Sequence, residues 1–421
     1  MNKIVLVTLL TTIFLLLDCY VFQAVKVLVE SSSLSLKKIT YSIYWGFTAF
    51  SLLLFFIYRF APADSLGIKG RTFITGWLAV TYFSKFFAIL FLFFDDLGRL
   101  VRWVIQKFTG NAQLIENPVS GNSNYISRSE FMMKASLIAG AVPFVGLSYG
   151  ILSGAHDYRI RRITVKLPNL PKEFDGIKIG QISDVHSGSF FNKTAVKGGV
   201  EMLLREKPDM IFFTGDLVNN RASEMETYQP IFEKVKAPFG VFSTLGNHDY
   251  GDYATWDSLE AKRQNLKNLI TIHKQMGWDI LMDENRNLIM GNEKISIIGI
   301  QNWGAKARFP KYGNLQKAHE STQDSSVKLL LSHDPSHWDA EVLEKFKDVD
   351  IMFAGHTHGM QFGVEIGNLK WSPVQYMYEQ WAGLYEKQQQ YLYVNRGFGY
   401  IGFPGRVGIL PEITIMELKK S

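Results

Sequence analysis

The sequence predicts an all-α transmembrane region followed by an α/β domain, and three observations carry that prediction. Residues 1–155 are rich in Phe, Leu, Ile and Tyr and poor in charge, and four stretches there stay apolar for the ~20 residues that cross a hydrocarbon core. From residue 160 onward, short apolar runs end one after another in motifs that bear Asp or His. Five of the nine histidines lie in those motifs, whereas His156, His273, His319 and His337 sit in no comparable context.

The transmembrane region is assigned to residues 1–155, with helices expected at roughly 4–25, 40–58, 72–94 and 132–153. Lys3 precedes the first apolar run as in a signal peptide, but no small-residue cleavage site follows it. Asp18 also stands where a lipoprotein box before Cys19 needs a small residue, so the first span is read as retained. Asp18 and Lys85 are ionisable groups inside spans. Pairing with each other, or a place near a helix end, is favoured over a functional role. In residues 95–108, Leu97, Leu100, Val101, Val104, Ile105 and Phe108 recur at helical spacing between Asp96, Arg99, Arg102 and Lys107. That pattern fits either an amphipathic helix in the membrane interface or an extension of the third span. Residues 109–124 read as a polar loop. Four spans place the N-terminus and the C-terminal domain on one side of the membrane. Lysines and arginines flank both sides almost equally, so the positive-inside rule assigns no side. Ser127-Arg128-Ser129-Glu130-Phe131 resembles a twin-arginine export signal without its second arginine, weak support for an exported domain.

The second domain is assigned to residues 156–421. Ile177–Ile182 reads as a strand that delivers Asp184 and His186. Residues 194–206 read as a helix with Val196, Val200, Leu203 and Leu204 on one face, ended by Pro208. Further apolar runs lead into Gly215-Asp216, Gly246-Asn247-His248-Asp249, Ser332-His333 and Gly355-His356-Thr357-His358. The carboxyl ends of strands are where α/β sheets place their sites. Gly215, Gly246 and Gly355 are expected to turn the backbone sharply, so that the next side chain points at the centre.

These motifs collect carboxylate, imidazole and amide side chains, a ligand set suited to two divalent metals. Cations about 3.5–4 Å apart can clamp the attacking and leaving oxygens of a phosphoryl transfer. The donor types suit Mn, Fe or Zn better than Ca or Mg alone. Buried His and Asp clusters are costly unless a metal or partner satisfies them, which makes the set specific as a group. The net charge of +6 is spread out, with no Lys/Arg block interleaved with aromatics, so no nucleic-acid partner is expected. The lone Cys19 excludes an internal disulfide. Arg396 and Arg406 are candidate phosphate contacts, with ordinary salt bridges equally open. Trp371, Tyr376, Tyr378, Trp381 and Tyr385 are read as packing residues ahead of an acyl-binding surface. Asp334 and His337 are read as surface or capping residues.

Taken in this order and spacing, the motifs resemble those of the calcineurin-like metallophosphoesterase superfamily over about residues 160–418. Val394-Asn395-Arg396-Gly397-Phe398-Gly399, Arg406 and Pro411-Glu412-Ile413 resemble its bacterial membrane-associated branch of predicted phosphohydrolases. The resemblance implies a four-layer β-sandwich flanked by helices. It implies that Asp184, His186 and His358 bind a first metal, that Asp216 bridges, and that Asn247, His333 and His356 complete a second. It further implies that His248 faces the scissile phosphate, that Asp249 fixes the His248 imidazole, and that a metal-bound hydroxide is the nucleophile. Members of related branches cleave the pyrophosphate of UDP-diacylglucosamine, a lipid A precursor. The expectation is therefore an integral protein of a bacterial cytoplasmic membrane that hydrolyses phosphoester or pyrophosphate bonds, including those of a lipid-linked substrate. Two alternatives stand beside it: a non-catalytic membrane receptor or scaffold on the same fold, and a cyclic-nucleotide or nucleic-acid phosphodiesterase.

Overall fold

Apolar length alone explains the first four elements of the computed structural model, which describes residues 3–62, 65–109, 128–306, 309–367 and 369–421. They are α1 (Lys3–Leu28), α2 (Leu34–Phe60), α3 (Gly67–Thr109) and α4 (Arg128–Leu152). Among the described residues these four helices are long and apolar enough to cross a membrane. Ser33 caps α2 by accepting from the Leu36 amide at 3.3 Å. The chain divides into two units, Met1–Ser148 and Tyr149–Ser421. The loop expected at 109–124 lies, apart from residue 109, outside the described residues, as does part of the stretch resembling an export signal.

α3 runs unbroken for 43 residues. That is roughly 65 Å, about twice the thickness of a hydrocarbon core. Residues 95–108 are thus a continuation of the third span, not a separate interfacial helix. Asp18 and Lys85 pair directly, and Asp18 is fully buried. Tyr44 donates to the Asp18 carbonyl at 2.7 Å, and the Lys85 ammonium lies 5.2 Å from the Tyr82 ring centre. Pairing is what the sequence favoured for these two residues. Lys85→Met strands a buried carboxylate and is expected to cost ~3–5 kcal/mol, whereas neutralising both partners costs less. Thermal unfolding in detergent checks this, and a single variant as stable as the parent contradicts it.

The second unit is built from β1 (Arg159–Leu167), β2 (Lys178–Ile182), α5 (Lys193–Arg205), β3 (Met210–Thr214), α6 (Gln229–Phe232), β4 (Val241–Thr244), α7 (Leu259–Gln275), β5 (Asp279–Ile280), β6 (Glu284–Met290), β7 (Glu293–Gly299), β8 (Val327–Leu331), β9 (Ile351–Ala354), β10 (Val364–Ile366), β11 (Leu369–Trp371), β12 (Gly383–Lys387), β13 (Gln390–Val394) and β14 (Glu412–Lys420). Asn192 and Ser258 cap α5 and α7. Two six-stranded sheets result, ordered β1-β14-β2-β3-β4-β5 and β12-β13-β9-β8-β7-β6.

Period-two alternation explains the layers. On β3, Met210 and Phe212 face the second sheet, joining Ile297, Leu329, Ile351 and Phe353 in an inner core. Ile211 and Phe213 face outward, onto Val196 and Val200 of α5 and Leu269 of α7. The second sheet turns Ile298 and Leu330 outward onto Trp338 and Val342. The architecture is thus helix, sheet, sheet, helix. β2, β3 and β4 are parallel in one sheet, and β8 and β9 are parallel in the other. This brings the motif loops together at the carboxyl ends of both sets.

Candidate metal centre and active site

The loops after β2, β3, β4, β8 and β9 carry the predicted ligands, and their backbones are unusual. Asp184, His186, Asp216, His356 and His358 adopt φ of 53°, 47°, 59°, 71° and 51°. Left-handed geometry at non-glycine residues costs of order 1–3 kcal/mol each and persists only where surroundings enforce it. Here buried hydrogen bonds do so. The Asp184 amide donates to Gly215 O at 2.9 Å, the His186 amide to Asp216 O at 3.1 Å, and the His356 amide to Asp184 Oδ1 at 2.9 Å.

Of the three motif glycines, only Gly215 turns through positive φ, at 98°. Gly246 has φ −100°, and Gly355 lies outside the positive-φ set. Those two are glycine because of close approach. A Cβ on Gly246 would strike the Asp216 carboxylate, and one on Gly355 would strike that of Asp184.

The side chains converge in two overlapping groups. In the first, His186 Nε2 and His358 Nε2 are 3.0 Å apart, and His358 Nε2 is 3.2 Å from Asp184 Oδ1. In the second, His356 Nδ1 lies 3.3 Å from His333 Nε2 and 2.9 Å from Asn247 Oδ1. Asp216 Oδ2 reaches both, 3.5 Å from His186 Nε2 and 3.2 Å from His333 Nε2. The clusters Asp184/His186/His358 and Asp216/His333/His356 each could hold a metal ion. All seven predicted ligands are therefore brought together.

The donor set fits divalent cations. His333 Nδ1 bonds the Thr214 carbonyl at 2.7 Å, which turns Nε2 toward the centre as the nitrogen that would bind a cation once deprotonated. The Asn247 amide nitrogen donates to Tyr253 at 3.0 Å, which orients Oδ1 toward the centre beside His356 Nδ1. Burial opposes ionisation of Asp184 and Asp216, yet the imidazoles of His358 and His333 respectively hold their carboxyls below the usual range. Burial likewise opposes a proton on His333, but Asp216, Asp184 and the Thr214 carbonyl outweigh it and push the imidazole up to about 10. Two ionised carboxylates inside the protein demand positive charge beside them, which cations supply.

His248 is partly exposed in the same cavity. Its Nδ1 bonds the Asn219 carbonyl at 2.9 Å, and its backbone amide donates to Asp216 Oδ1 at 2.8 Å. Asp249 does not fix this imidazole, contrary to expectation. Its carboxylate accepts from the amides of Asp216, Gly246 and Leu217 at 2.9, 2.9 and 2.8 Å, tying the loops after β3 and β4 to each other. A backbone carbonyl at Asn219 does the orienting, and no side-chain motif could announce it.

Arg396 and Arg406, expected as candidate phosphate contacts, are both buried and occupied. Arg396 pairs with Glu412 at 2.5 Å and Glu365 at 2.8 Å. Arg406 donates from Nη2 to Gly399 O at 2.5 Å and Arg396 O at 2.8 Å. Neither lines the cavity, so both hold the C-terminal loop in place. His337 is fully buried, not superficial, because Ser332 Oγ and Glu341 satisfy its nitrogens at 3.0 and 3.1 Å. Asp334 is buried as well, although it does cap its turn by accepting from the Ser336 amide at 2.9 Å.

The cavity over the centre measures about 390 Å³, with His186, Asp216, Asn247, His248, His356 and His358 in its lining. The rest of its wall is largely apolar: Met360, Val374, Met377 and Ile401, with Phe309, Tyr253 and Tyr378. Tyr378 bonds His356 Nε2 at 2.9 Å, so it directs Nδ1 toward the centre. This is a role beyond the packing expected of it. Trp381 is buried as expected, whereas Tyr376 is exposed.

Two family models match the sequence. The probable calcineurin-like phosphoesterase transmembrane domain matches residues 2–155, and the calcineurin-like phosphoesterase domain matches residues 177–360. The chain is 31% identical over 309 residues to the uncharacterized metallophosphoesterase YkuE of Bacillus subtilis, covering 70% of this chain and 99% of that one. It is 25% identical over 356 residues to a Danio rerio transmembrane protein with metallophosphoesterase domain, covering 82% and 74%. Among solved structures, an NAD nucleotidase of Haemophilus influenzae aligns over 53% of this chain at 17% identity and TM-score 0.35, and the chain spans 45% of its length.

Proposed function

The chain belongs to the calcineurin-like phosphoesterase family and is an integral membrane metallophosphoesterase, and from that premise we propose that it cleaves a phosphoester or pyrophosphate bond of a lipid-linked substrate resembling UDP-diacylglucosamine. The observation that carries the substrate class is the contrast within one cavity: a floor of metal-ligating groups against a wall containing Met360, Val374, Met377 and Ile401. No Lys or Arg occurs among the described residues lining it, which disfavours nucleic acid.

Asp184, His186 and His358 would hold one divalent cation and Asn247, His333 and His356 a second, with the Asp216 carboxylate within reach of both groups. The metals are Mn, Fe or Zn by donor type. When bound, such cations supply Lewis acidity and a lowered pKa for coordinated water. His248, with Nδ1–H committed to Asn219 O, has Nε2 left for the cavity, and as the imidazolium it gives the Nε2 proton to the departing oxygen and returns to the neutral imidazole. Tyr378 and Thr214 O keep His356 and His333 in their ligating tautomers.

The test is a substrate panel with manganese-loaded, full-length protein. A generic aryl phosphate is hydrolysed only with metal present. A lipid-linked pyrophosphate is expected to exceed the matching water-soluble nucleotide sugar by about tenfold or more in kcat/KM, a preference of ~1.4 kcal/mol. Equal rates on the two overturn the lipid assignment. No metal-stimulated hydrolysis of any of them overturns the enzymatic reading and favours a receptor.

A further inference from the structure

The β10–β11 hairpin is built inside out. Its register pairs Val364 with Trp371, Glu365 with Lys370, and Ile366 with Leu369. Directly opposed residues share a face, so one face is apolar and the other charged. In water the charged face should point outward. Here it points in: Glu365 pairs with Arg161 at 2.6 Å and Arg396 at 2.8 Å, and Lys370 donates to the Ala382 carbonyl. The apolar face is left outside, with Ile366 73% and Leu369 61% exposed. Next to it in sequence, Tyr376 and Met377 are also exposed, and Met377 lines the catalytic cavity. The arrangement costs hydrophobic free energy unless something covers it.

The chain itself indicates what does. The second unit begins at Tyr149, within the last turn of α4 (Arg128–Leu152), the helix of the fourth candidate span. The Arg406 amide donates to Gly150 O in that turn at 3.1 Å. The neighbouring Val407 then pairs with the strand entering the hairpin, its amide donating to Gln361 O at 2.8 Å and its carbonyl accepting from Gly363 N at 2.9 Å. Two short backbone steps therefore connect the end of a membrane-crossing helix to the root of the apolar hairpin.

We infer that the β10–β11 hairpin is a bilayer-contacting element whose apolar face lies in the headgroup–acyl boundary and sets the mouth of the cavity at the membrane surface. Its consequence for substrate, that the apolar part stays in the bilayer while the phosphate reaches the centre, rests on the lipid-linked reading above. The occupant of the face is lipid, because Arg161 and Arg396 hold the charged face inward through Glu365 while the backbone link to Gly150 ties the hairpin's root, within the same unit, to the residues that end α4.

Depth-dependent fluorescence quenching tests this on the full chain. In a Cys19→Ser background, an environment-sensitive fluorophore is attached at Ile366→Cys or Leu369→Cys, with Ile289→Cys, a 68% exposed apolar position on β6, as reference. The proteins are reconstituted into phosphatidylcholine–phosphatidylglycerol vesicles carrying a shallow doxyl lipid. Insertion by ~5–10 Å predicts quenching at least about threefold stronger at 366 and 369 than at 289. Quenching by aqueous iodide equal to that at 289 overturns the inference. Shielding from both quenchers also overturns it, by pointing to a second copy or another protein as the cover. The same samples are assayed on a soluble aryl phosphate. Samples that hydrolyse it without lipid quenching reject the hairpin assignment alone, and samples that show lipid quenching without hydrolysis reject the enzymatic reading alone.

Discussion

Asp216→Asn is expected to lower kcat on an aryl phosphate by roughly three orders of magnitude or more, about 4 kcal/mol on the barrier. The residue is fully enclosed, and its Oδ2 lies 3.5 Å from His186 Nε2 and 3.2 Å from His333 Nε2, within reach of both ligand groups. An amide has the same shape but lacks the charge and presents only one acceptor oxygen. The backbone fastening stays, because the Asp216 amide is held by Asp249 and not by its own side chain. The fold should therefore persist while the second cation is lost, and circular dichroism beside elemental analysis separates those outcomes. Full activity in this variant is incompatible with a shared carboxylate.

His248→Ala is expected to cost roughly 10²–10⁴ in kcat while leaving both cations in place. The imidazole lies over the centre, 5.0 Å ring to ring from His186, but joins neither ligand group. Its Nδ1–H is committed to the Asn219 carbonyl, so only the imidazolium could deliver a proton from Nε2, and loss of the ring would remove that proposed donor without removing a proposed ligand. A leaving-group series measures this. The deficit should grow from an aryl ester, whose phenolate departs unaided, to an alkyl ester, whose alkoxide needs the proton. A deficit independent of leaving group assigns His248 to charge stabilisation instead.

How much of this was legible depended on whether the decisive contact leaves a local trace. The strands bearing the ligands were legible because parallel strands buried on both faces read as continuous apolar runs, such as Met210–Thr214, and break abruptly into Gly, Asp and His. The four layers followed from the family resemblance. The partner of Asp249 was not legible, since three backbone amides from separate loops carry no sequence signature. Nor was the fate of Arg396 and Arg406, because a guanidinium looks the same in sequence whether it meets a phosphate, Glu412 or a carbonyl. The reach of α3 was ambiguous because an amphipathic continuation and a separate interfacial helix share one periodicity. The strands of the β10–β11 hairpin are three residues each, too short for alternation to be read, so its inverted faces emerge only from the ion pairs of Glu365.

Metal content per chain, measured by elemental analysis of the purified full-length protein after manganese loading and desalting, bears most directly on the central claim. Two cations per parent chain, falling to about one or fewer in Asp216→Asn and staying at two in His248→Ala, is the predicted result. A parent protein that retains no stoichiometric metal, or retains two in Asp216→Asn, contradicts it.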